Sequence, residues 1–195
     1  MAYMASLNIN PMKLPGPWVE GYVLDFHSIS STPTGDPYYR FDTKYTELGD
    51  RLYRFKYRSD RTVMADILDT AVVFIKGWNP PIDCIVPVPA SLSRKSQPVV
   101  ELAEELAKQL GLPDFKDAVV RVKATPAMKN IADWSERQKV LHEAVQAGPG
   151  DVKSKSILLF DDILESGATL RRAAEVLLSD GAARAVYVLV VTRTR

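Results

Sequence analysis

A continuous apolar run that ends in two acids is the strongest feature of the hydropathy pattern. Residues 157–160 read Ile-Leu-Leu-Phe, and Asp161 and Asp162 follow directly. A run that is apolar at consecutive positions predicts a strand buried on both faces of a parallel sheet. Three residues later, the polar turn Ser-Gly-Ala-Thr at 166–169 leads into a helical pattern. The segment therefore predicts a buried strand, a tight turn and a helix.

Similar apolar runs alternate with amphipathic stretches along most of the chain. Strands are predicted to begin at Ile82, Asp117, Ser156 and Ala185, and helices are predicted over 43–57, 60–78, 99–110 and 135–145 and after Thr169. Strands that alternate with helices are typical of α/β proteins, in which the sheet is mostly parallel and helices cover both faces. We therefore expect a Rossmann-like, mostly parallel sheet flanked by helices.

The amino-terminal residues show a different pattern. Residues 1–17 are rich in proline and read as an irregular arm. Residues 18–29 partly alternate apolar and polar positions, which predicts a strand with one exposed face. A dense turn signal at 31–37 suggests a hairpin that returns over 38–41. We therefore divide the chain into an arm and hairpin hood, residues 1–45, and a core domain, residues 46–195.

The acids and the turn predict a binding site. The carboxyl ends of strands in open α/β sheets are where ligands bind, and Asp161 and Asp162 would lie there. Backbone N–H groups and hydroxyls at the start of a helix form an anion site. Carboxylates beside such a site suit a phosphorylated sugar. A capped turn without a ligand remains the alternative, whereas a phospho-acceptor receiver domain would need more chain after Asp162.

Composition narrows the classes of function. The chain has 195 residues and a net charge of +1, which gives no electrostatic case for binding nucleic acid or a membrane. The single cysteine, Cys84, lies in an apolar run and excludes a disulfide framework or a multi-cysteine zinc site. Only His27 and His142 are present, far apart, so no histidine metal site is expected. Without a secretory signal or a membrane-length apolar run, a cytoplasmic protein is expected.

The segment around the acids resembles a known family. An apolar strand, two acids, three variable residues and Thr/Ser-Gly-x-Thr form the ribose-5-phosphate signature of the type I phosphoribosyltransferases, which bind 5-phosphoribosyl-1-pyrophosphate (PRPP). The sequence Asp-Asp-Ile-Leu-Glu-Ser-Gly-Ala-Thr at 161–169 is similar to it. The resemblance implies the type I phosphoribosyltransferase fold. It also implies that Asp161 and Asp162 bind the ribose hydroxyls, and that Glu165, Ser166, Gly167, Ala168 and Thr169 surround the 5-phosphate.

Two further segments resemble the ComF-like branch of this family, which is associated with bacterial competence. They are residues 52–60, Leu-Tyr-Arg-Phe-Lys-Tyr-Arg-Ser-Asp, and residues 85–89, Ile-Val-Pro-Val-Pro. The resemblance covers roughly residues 46–195, with gaps. ComF proteins usually begin with a four-cysteine zinc element; this chain has none, and its predicted hairpin stands in that place.

The resemblance also implies two loops around the substrate. The loop over 90–97 would receive pyrophosphate, with Arg94 and Lys95 as cations, although a solubilising loop is an equal alternative. The stretch 123–134 would be a mobile loop that closes over the site, with Lys129 and Arg137 as lid cations. Simple solvation of these two side chains remains the alternative. Both loops depart from the usual ComF sequences.

The implied activity is transfer of ribose 5-phosphate from PRPP to a nitrogen nucleophile, a nucleobase or an amine, with release of pyrophosphate. Mg²⁺ is expected with the diphosphate, and no dedicated protein ligand is named for it. Glu165 is the candidate general base; its alternative role is an acid that favours the helix N-terminus. A non-catalytic PRPP- or nucleotide-binding module, with a regulatory or DNA-uptake role, is the other interpretation. The resemblance also implies a homodimer, and the hood, which would select the acceptor, carries no motif that identifies it.

Overall fold

We describe the protein from a computed structural model. It describes residues 7–36, 41–90, 97–123 and 133–195, and for residues 134, 137 and 138 the backbone alone. The strands are β1 Met12–Lys13, β2 Glu20–Phe26, β3 Ser28–Pro33, β4 Phe41–Tyr45, β5 Cys84–Pro87, β6 Val119–Arg121, β7 Val145–Ala147, β8 Ser156–Leu164 and β9 Ala185–Arg193. The helices are α1 Glu47–Tyr57, α2 Met64–Trp78, α3 Pro98–Leu110, α4 Trp134–Ala144 and α5 Ala168–Ser179, and a 3₁₀ turn Arg61–Val63 precedes α2.

The central sheet has five strands in the order β1-β2-β9-β8-β5. The pairs β2–β9, β9–β8 and β8–β5 are parallel, and the edge strand β1 runs antiparallel to β2. The long pair β8–β9 places Asp161 opposite Val190 and Ile163 opposite Thr192. This arrangement confirms the predicted mostly parallel sheet flanked by helices.

Each face of the sheet has its own hydrophobic core. On one face, Ile157 and Leu159 of β8 pack with Leu170, Ala173 and Leu177 of α5. On the other face, Leu158 and Phe160 pack with Leu52 of α1, Ile67 of α2 and Leu102 of α3. Because residues 157–160 of β8 are apolar at consecutive positions, the strand can serve both cores at once. Cys84 is fully buried, as expected, and burial raises the pKa of its thiol to about 11.

The prediction of a second core strand over 117–122 is wrong. Residues 119–121 form the short strand β6, which pairs antiparallel with β7 in a separate two-stranded sheet. Of its three residues only Val119 is buried, so it lacks the two-sided burial of a central strand. Strand β2 is a member of the central sheet instead, and its Val23 and Leu24 face opposite cores. The prediction that residues 18–29 form a strand with one exposed face is therefore wrong for β2.

The amino-terminal hairpin forms between β3 and β4, directly after β2. We had expected 18–29 to pair with 38–41; residues 37–40 lie outside the described part of the chain, and β2 instead pairs with β9. The division into residues 1–45 and 46–195 remains a prediction. Its amino-terminal part nevertheless contributes β1 and β2 to the central sheet.

Helix α1 is anchored to the end of β2 by its cap. The hydroxyl Oγ1 of Thr46 accepts a hydrogen bond from Gly49 N at 3.0 Å and donates one to Phe26 O at 2.7 Å. A Cβ atom at Gly49 would lie 1.9 Å from the carbonyl oxygen of His27, so only glycine allows this approach. The close contact fixes where α1 crosses the carboxyl end of the sheet. Among the described residues, no helix has both the length and the apolar character needed to span a bilayer.

Candidate functional site

The two acids lie near the carboxyl end of β8, which continues past them to Leu164. Strand alternation turns their side chains to opposite faces. Asp162 follows the row of Leu158 and Phe160, which faces α1, α2 and α3, whereas Asp161 follows the row that faces α5. The carboxylate Oδ1 of Asp161 accepts a hydrogen bond from the backbone N of Asp162 at 2.9 Å. The acids are therefore adjacent but differently surrounded.

Asp162 forms an ion pair with Lys56 of α1. The ammonium Nζ lies 2.8 Å from Asp162 Oδ2, and the two side chains are 10% and 11% exposed. Removing two charges from water is costly, and here the cost is offset only by their close contact. The pair joins the helix to the strand at the bottom of the site.

Asp161 has the more strongly perturbed carboxyl group. Burial of the group and the negative charge of Asp162 raise its pKa to about 8, against the opposing effect of Lys56. Glu165 adds a smaller effect in the same direction as Asp162. At neutral pH the neutral form of Asp161 therefore predominates, which is unusual for a carboxyl group and typical of a functional site.

The turn after β8 places a helix N-terminus beside the acids. Gly167 has φ +74°, a left-handed conformation that favours glycine, and it precedes the first residue of α5. The hydroxyl of Ser166 accepts a hydrogen bond from Ala168 N at 3.4 Å. The first N–H groups of a helix have no intrahelical acceptor and carry partial positive charge. The turn can therefore receive an anion.

The acids and the turn line one continuous depression. A cleft of about 270 Å³ is lined by Lys56, Val88, Pro89, Ala90, Gln97, Pro98, Val99, Arg121, Asp161, Asp162, Ile163, Glu165 and Thr169. An adjoining hollow of about 190 Å³ is lined by Asp161, Ile163, Leu164, Glu165, Ser166, Gly167, Thr169 and Leu170. The guanidinium Nη2 of Arg121 lies 3.5 Å from Thr169 Oγ1. One cleft thus joins carboxylates, cations and an anion-binding turn.

Most of the predicted site residues on β8 and the turn come together. Asp161, Asp162, Glu165, Ser166, Gly167 and Thr169 line the depression, and Ala168 is the buried first residue of α5. Glu165 is exposed at its edge. Arg94, Lys95 and Lys129 lie outside the described residues. Arg137 lies in α4, and its side chain is not described.

Lys56 and Arg121 were not predicted as site residues, yet both line the cleft, as does Gln97 at the end of the predicted pyrophosphate loop. A signal for Lys56 was present in the helical pattern. It lies four residues after Leu52 and eight after Leu48, on the apolar face of α1. A lysine on the apolar face of a helix is almost never buried unless it is paired. Gln97 is the last residue of the loop predicted to receive pyrophosphate, although no role was assigned to its side chain.

His27 lies between the hairpin and the ion pair. Its Nδ1 is 3.1 Å from Thr192 Oγ1, and its ring meets Tyr45 edge-on at 5.3 Å. Burial and the positive charge of Lys56 lower the pKa of the ring, with Asp162 acting in the opposite direction. The neutral form of the imidazole is therefore favoured.

Within the described ranges, no group of three or more His, Cys, Asp or Glu side chains could enclose a metal ion. Mg²⁺ commonly binds through substrate phosphates and water, with only one or two carboxylates from the protein. The Asp161–Asp162 pair fits that minimal donor set, and it gives no reason to expect a metal cage built by the protein alone.

The chemistry available to this cleft is specific. Carboxyl groups can bind vicinal hydroxyls, backbone N–H groups and hydroxyls can bind a phosphate, and Lys56 and Arg121 supply positive charge beside them. A phosphorylated sugar carries both hydroxyls and a phosphate, close enough together to contact all of these protein groups in one cleft. The arrangement is therefore suited to a sugar phosphate that enters with its phosphate toward α5.

Comparison with known families agrees with this geometry. The model described as phosphoribosyl transferase domain matches residues 99–195, which include β8, the turn and α5. The matched residues lie in the carboxyl-terminal half of the chain. Over 33 residues the chain is 64% identical to ribose-phosphate pyrophosphokinase from Brucella melitensis biotype 1. That match spans 17% of this chain and only 11% of the Brucella protein.

Solved structures resemble the chain more distantly. Adenine phosphoribosyltransferase from Saccharomyces cerevisiae is 12% identical with a TM-score of 0.48, and the similarity covers 83% of each chain. Orotate phosphoribosyltransferase from Aeropyrum pernix is 16% identical with a TM-score of 0.44, over 84% of this chain and 73% of that one. Similarities at this level add no argument about function.

Proposed function

We propose that the chain, whose carboxyl-terminal half matches the phosphoribosyl transferase domain, binds PRPP and transfers its ribose-5-phosphate group to a nitrogen nucleophile. The observation that carries the proposal is the single cleft in which Asp161 and Asp162 meet the N-terminus of α5. The acids would bind the ribose hydroxyls. Ser166, Gly167 and Thr169 would hold the 5-phosphate through hydroxyls and backbone N–H groups.

The diphosphate would lie at the other end of the cleft. Pro89 and Ala90 line that end, so the segment that follows them, with Arg94 and Lys95, begins at the edge of the site. Arg121 adds a cation whose pKa burial lowers, although it remains charged. When bound with the diphosphate, Mg²⁺ would neutralise part of the charge of the leaving group. The positive lining supports the choice of a polyanionic substrate.

In the reaction, the bond from the anomeric carbon to the pyrophosphate oxygen breaks and a carbon–nitrogen bond forms. The transition state has oxocarbenium character, as in glycoside hydrolysis. The nitrogen nucleophile loses a proton, for which exposed Glu165 at the cleft edge is the candidate general base. Its exposure and position favour this role over a purely structural one at the helix N-terminus.

The remaining parts of the proposal concern the surroundings of the cleft. The β3–β4 hairpin, with the arm before it, would act as the hood that selects a nucleobase or amine acceptor. Lys129 and Arg137 would belong to a lid that closes over the substrates and limits competition by water. Membership in the ComF-like branch, a homodimeric state and a cytoplasmic location are proposed on the same resemblance.

The test is pyrophosphate release from PRPP and Mg²⁺ with a panel of nucleobases and amines. Release on at least one acceptor is expected, with loss of at least 100-fold in the Asp161→Ala/Asp162→Ala variant. The matched control is Glu104→Ala/Glu105→Ala, which removes two neighbouring acids of α3 that pair with Lys116 and Lys108 at the surface. Release that persists in the first variant would refute the proposal. Tight PRPP binding without release on any acceptor would favour the non-catalytic binding module.

A further inference from the structure

The Lys56–Asp162 pair is the one buried ion pair among those the structure describes. Each other described pair has at least one side chain more than a quarter exposed. Both members of this pair also line the cleft. Burying this pair at the floor of a cleft costs desolvation free energy that surface pairs do not lose, so its presence there has to be explained.

The geometry of the pair leaves part of Asp162 available. Lys56 contacts Oδ2, and a carboxylate has a second oxygen and further lone pairs that can accept hydrogen bonds. The contact restricts the rotation of the carboxyl group. A sugar hydroxyl that arrives in the cleft would thus meet an acceptor that is already oriented.

The backbone of α1 holds Lys56 in place. Leu48, Leu52 and Phe55 of the same helix are fully buried against the core beneath β8. The cap at Thr46 ties the helix to Phe26 at the end of β2. Because both ends of the helix are fixed, the ammonium cannot move far from Asp162 without loss of packing.

Asp161 receives no such partner in the described structure. Its Oδ1 accepts from a backbone N–H, and Lys56 acts on it only through its charge. The two neighbouring acids therefore differ: Asp162 is held by a cation and Asp161 is not. Of the two acids, only Asp162 is held in place by an ion pair.

We propose that Lys56 is a positioning residue for the pentose, which fixes the carboxylate of Asp162 so that its other oxygen receives a sugar hydroxyl. This inference rests on the proposed function. It extends the site to the amino-terminal half of the chain, outside the matched residues 99–195. In this role Lys56 acts through Asp162 and does not contact the phosphate directly.

The test measures the binding of ribose 5-phosphate by calorimetry, without metal. Lys56→Met is expected to weaken binding about 10-fold, in line with a lost charge-assisted hydrogen bond. Lys56→Arg should restore most of the affinity, because the guanidinium can also hold the carboxylate. Lys108→Met, which removes an exposed lysine from a surface pair on α3, is the matched control and should bind as the wild type does.

Inorganic phosphate separates positioning from direct phosphate binding. Its affinity, measured by competition, should be unchanged in Lys56→Met, because the acids take no part in holding it. An equal loss for phosphate and ribose 5-phosphate would overturn the inference and make Lys56 a phosphate ligand.

A double-mutant comparison keeps the inference testable if Lys56→Met folds poorly. The variant Lys56→Met/Asp162→Asn removes both charges, which is usually tolerated better than removal of one. If Lys56 acts through Asp162, the double variant binds ribose 5-phosphate as Asp162→Asn alone does. A further loss in the double variant would contradict the inference. If the wild type itself fails to bind ribose 5-phosphate, the proposed function is refuted instead.

Discussion

The two ends of β8 each combine an acid with a base, and they do so in opposite ways. At the amino end, Asp83 Oδ2 accepts from Ser156 N at 2.7 Å and from Arg184 Nη2 at 2.9 Å. The Arg184 and Asp83 side chains are 60% and 48% exposed. At the carboxyl end, a buried ammonium pairs with one of two neighbouring acids, and Lys56 and Asp162 are 10% and 11% exposed.

The two ends therefore differ in how much desolvation each one requires. At the amino end, Asp83, Ser156 and Arg184 hydrogen-bond to one another and remain in contact with water. Their burial therefore costs little free energy, and their pairing contributes little to stability. The carboxyl end keeps an excess of acid away from water, a cost that the folded protein alone does not require. Such local costs are expected where a ligand completes the interactions.

The largest effect should come from the glycine turn beside the acids. Alanine at Gly167 or at Gly111 meets a positive φ, +74° or +67°, so each substitution should lower the free energy of unfolding by about 1 kcal/mol. Only Gly167→Ala also places a Cβ 3.3 Å from Leu164 Cδ1 and disturbs the phosphate turn. Its affinity for ribose 5-phosphate, measured by calorimetry, should fall at least 10-fold. Equal affinities in the two variants would remove the turn from the site.

Removal of the unpaired acid should stabilise the protein. The pKa of Asp161 is about 8 when folded, against about 3.9 in an unfolded chain. The folded state holds a proton that the unfolded state releases, so this group lowers stability as pH rises from about 4 to 8. We expect Asp161→Asn to raise the melting temperature by at least about 2–4 °C at pH 8.5.

The gain should shrink toward pH 5, where the folded wild-type protein keeps its proton at little cost. Differential scanning calorimetry across this range gives the pH dependence. A melting temperature that is equal or lower for Asp161→Asn at every pH would show that the acid is not strained.

Binding should follow the same ionisation. Hydroxyls donate best to a charged carboxylate, so the affinity for ribose 5-phosphate should rise several-fold from pH 7 to pH 9 as Asp161 ionises. Asp162 and Glu165 raise the pKa of the group and Lys56 lowers it. The phosphate itself titrates near pH 6 and is fully charged over this range. Asp161→Asn should lack the rise; a rise that persists in this variant would assign it to another group.

The smallest effect should come from the amino end of β8. Arg184→Met removes an exposed cation that hydrogen-bonds to Asp83 and Ser156. The free energy of unfolding should fall by less than about 1 kcal/mol. Chemical denaturation measures this change, and ribose 5-phosphate affinity should stay at the wild-type value. A loss of affinity would show that the two ends of the strand are coupled.

Local sequence patterns were sufficient for much of the fold. The glycine turn and helices α1, α2, α3 and α5 each carry their own hydrophobic period or terminating residue, so each was predicted within a few residues of its observed bounds. The strand predicted over 157–160 is present, but it continues through the two acids to Leu164. The two acids were identified for the same reason. They follow an apolar run that only a buried strand explains.

Membership in the sheet was harder, because it depends on distant partners. Residues 20–26 and 119–121 are both short and partly apolar, and no local signal shows that the first pairs with β9 and the second with β7. Lys56 was missed for a different reason: we weighed it with the neighbouring arginines, although it shares the face of Leu48 and Leu52. A cation on an apolar helix face is a signal of its own.

The most direct test is a crystal structure of the protein with ribose 5-phosphate. The account predicts the phosphate at the turn formed by Ser166, Gly167 and Thr169, and the sugar hydroxyls against Asp161 and Asp162, with Lys56 still beside Asp162. A sugar phosphate bound elsewhere, while this cleft holds only water, would contradict it.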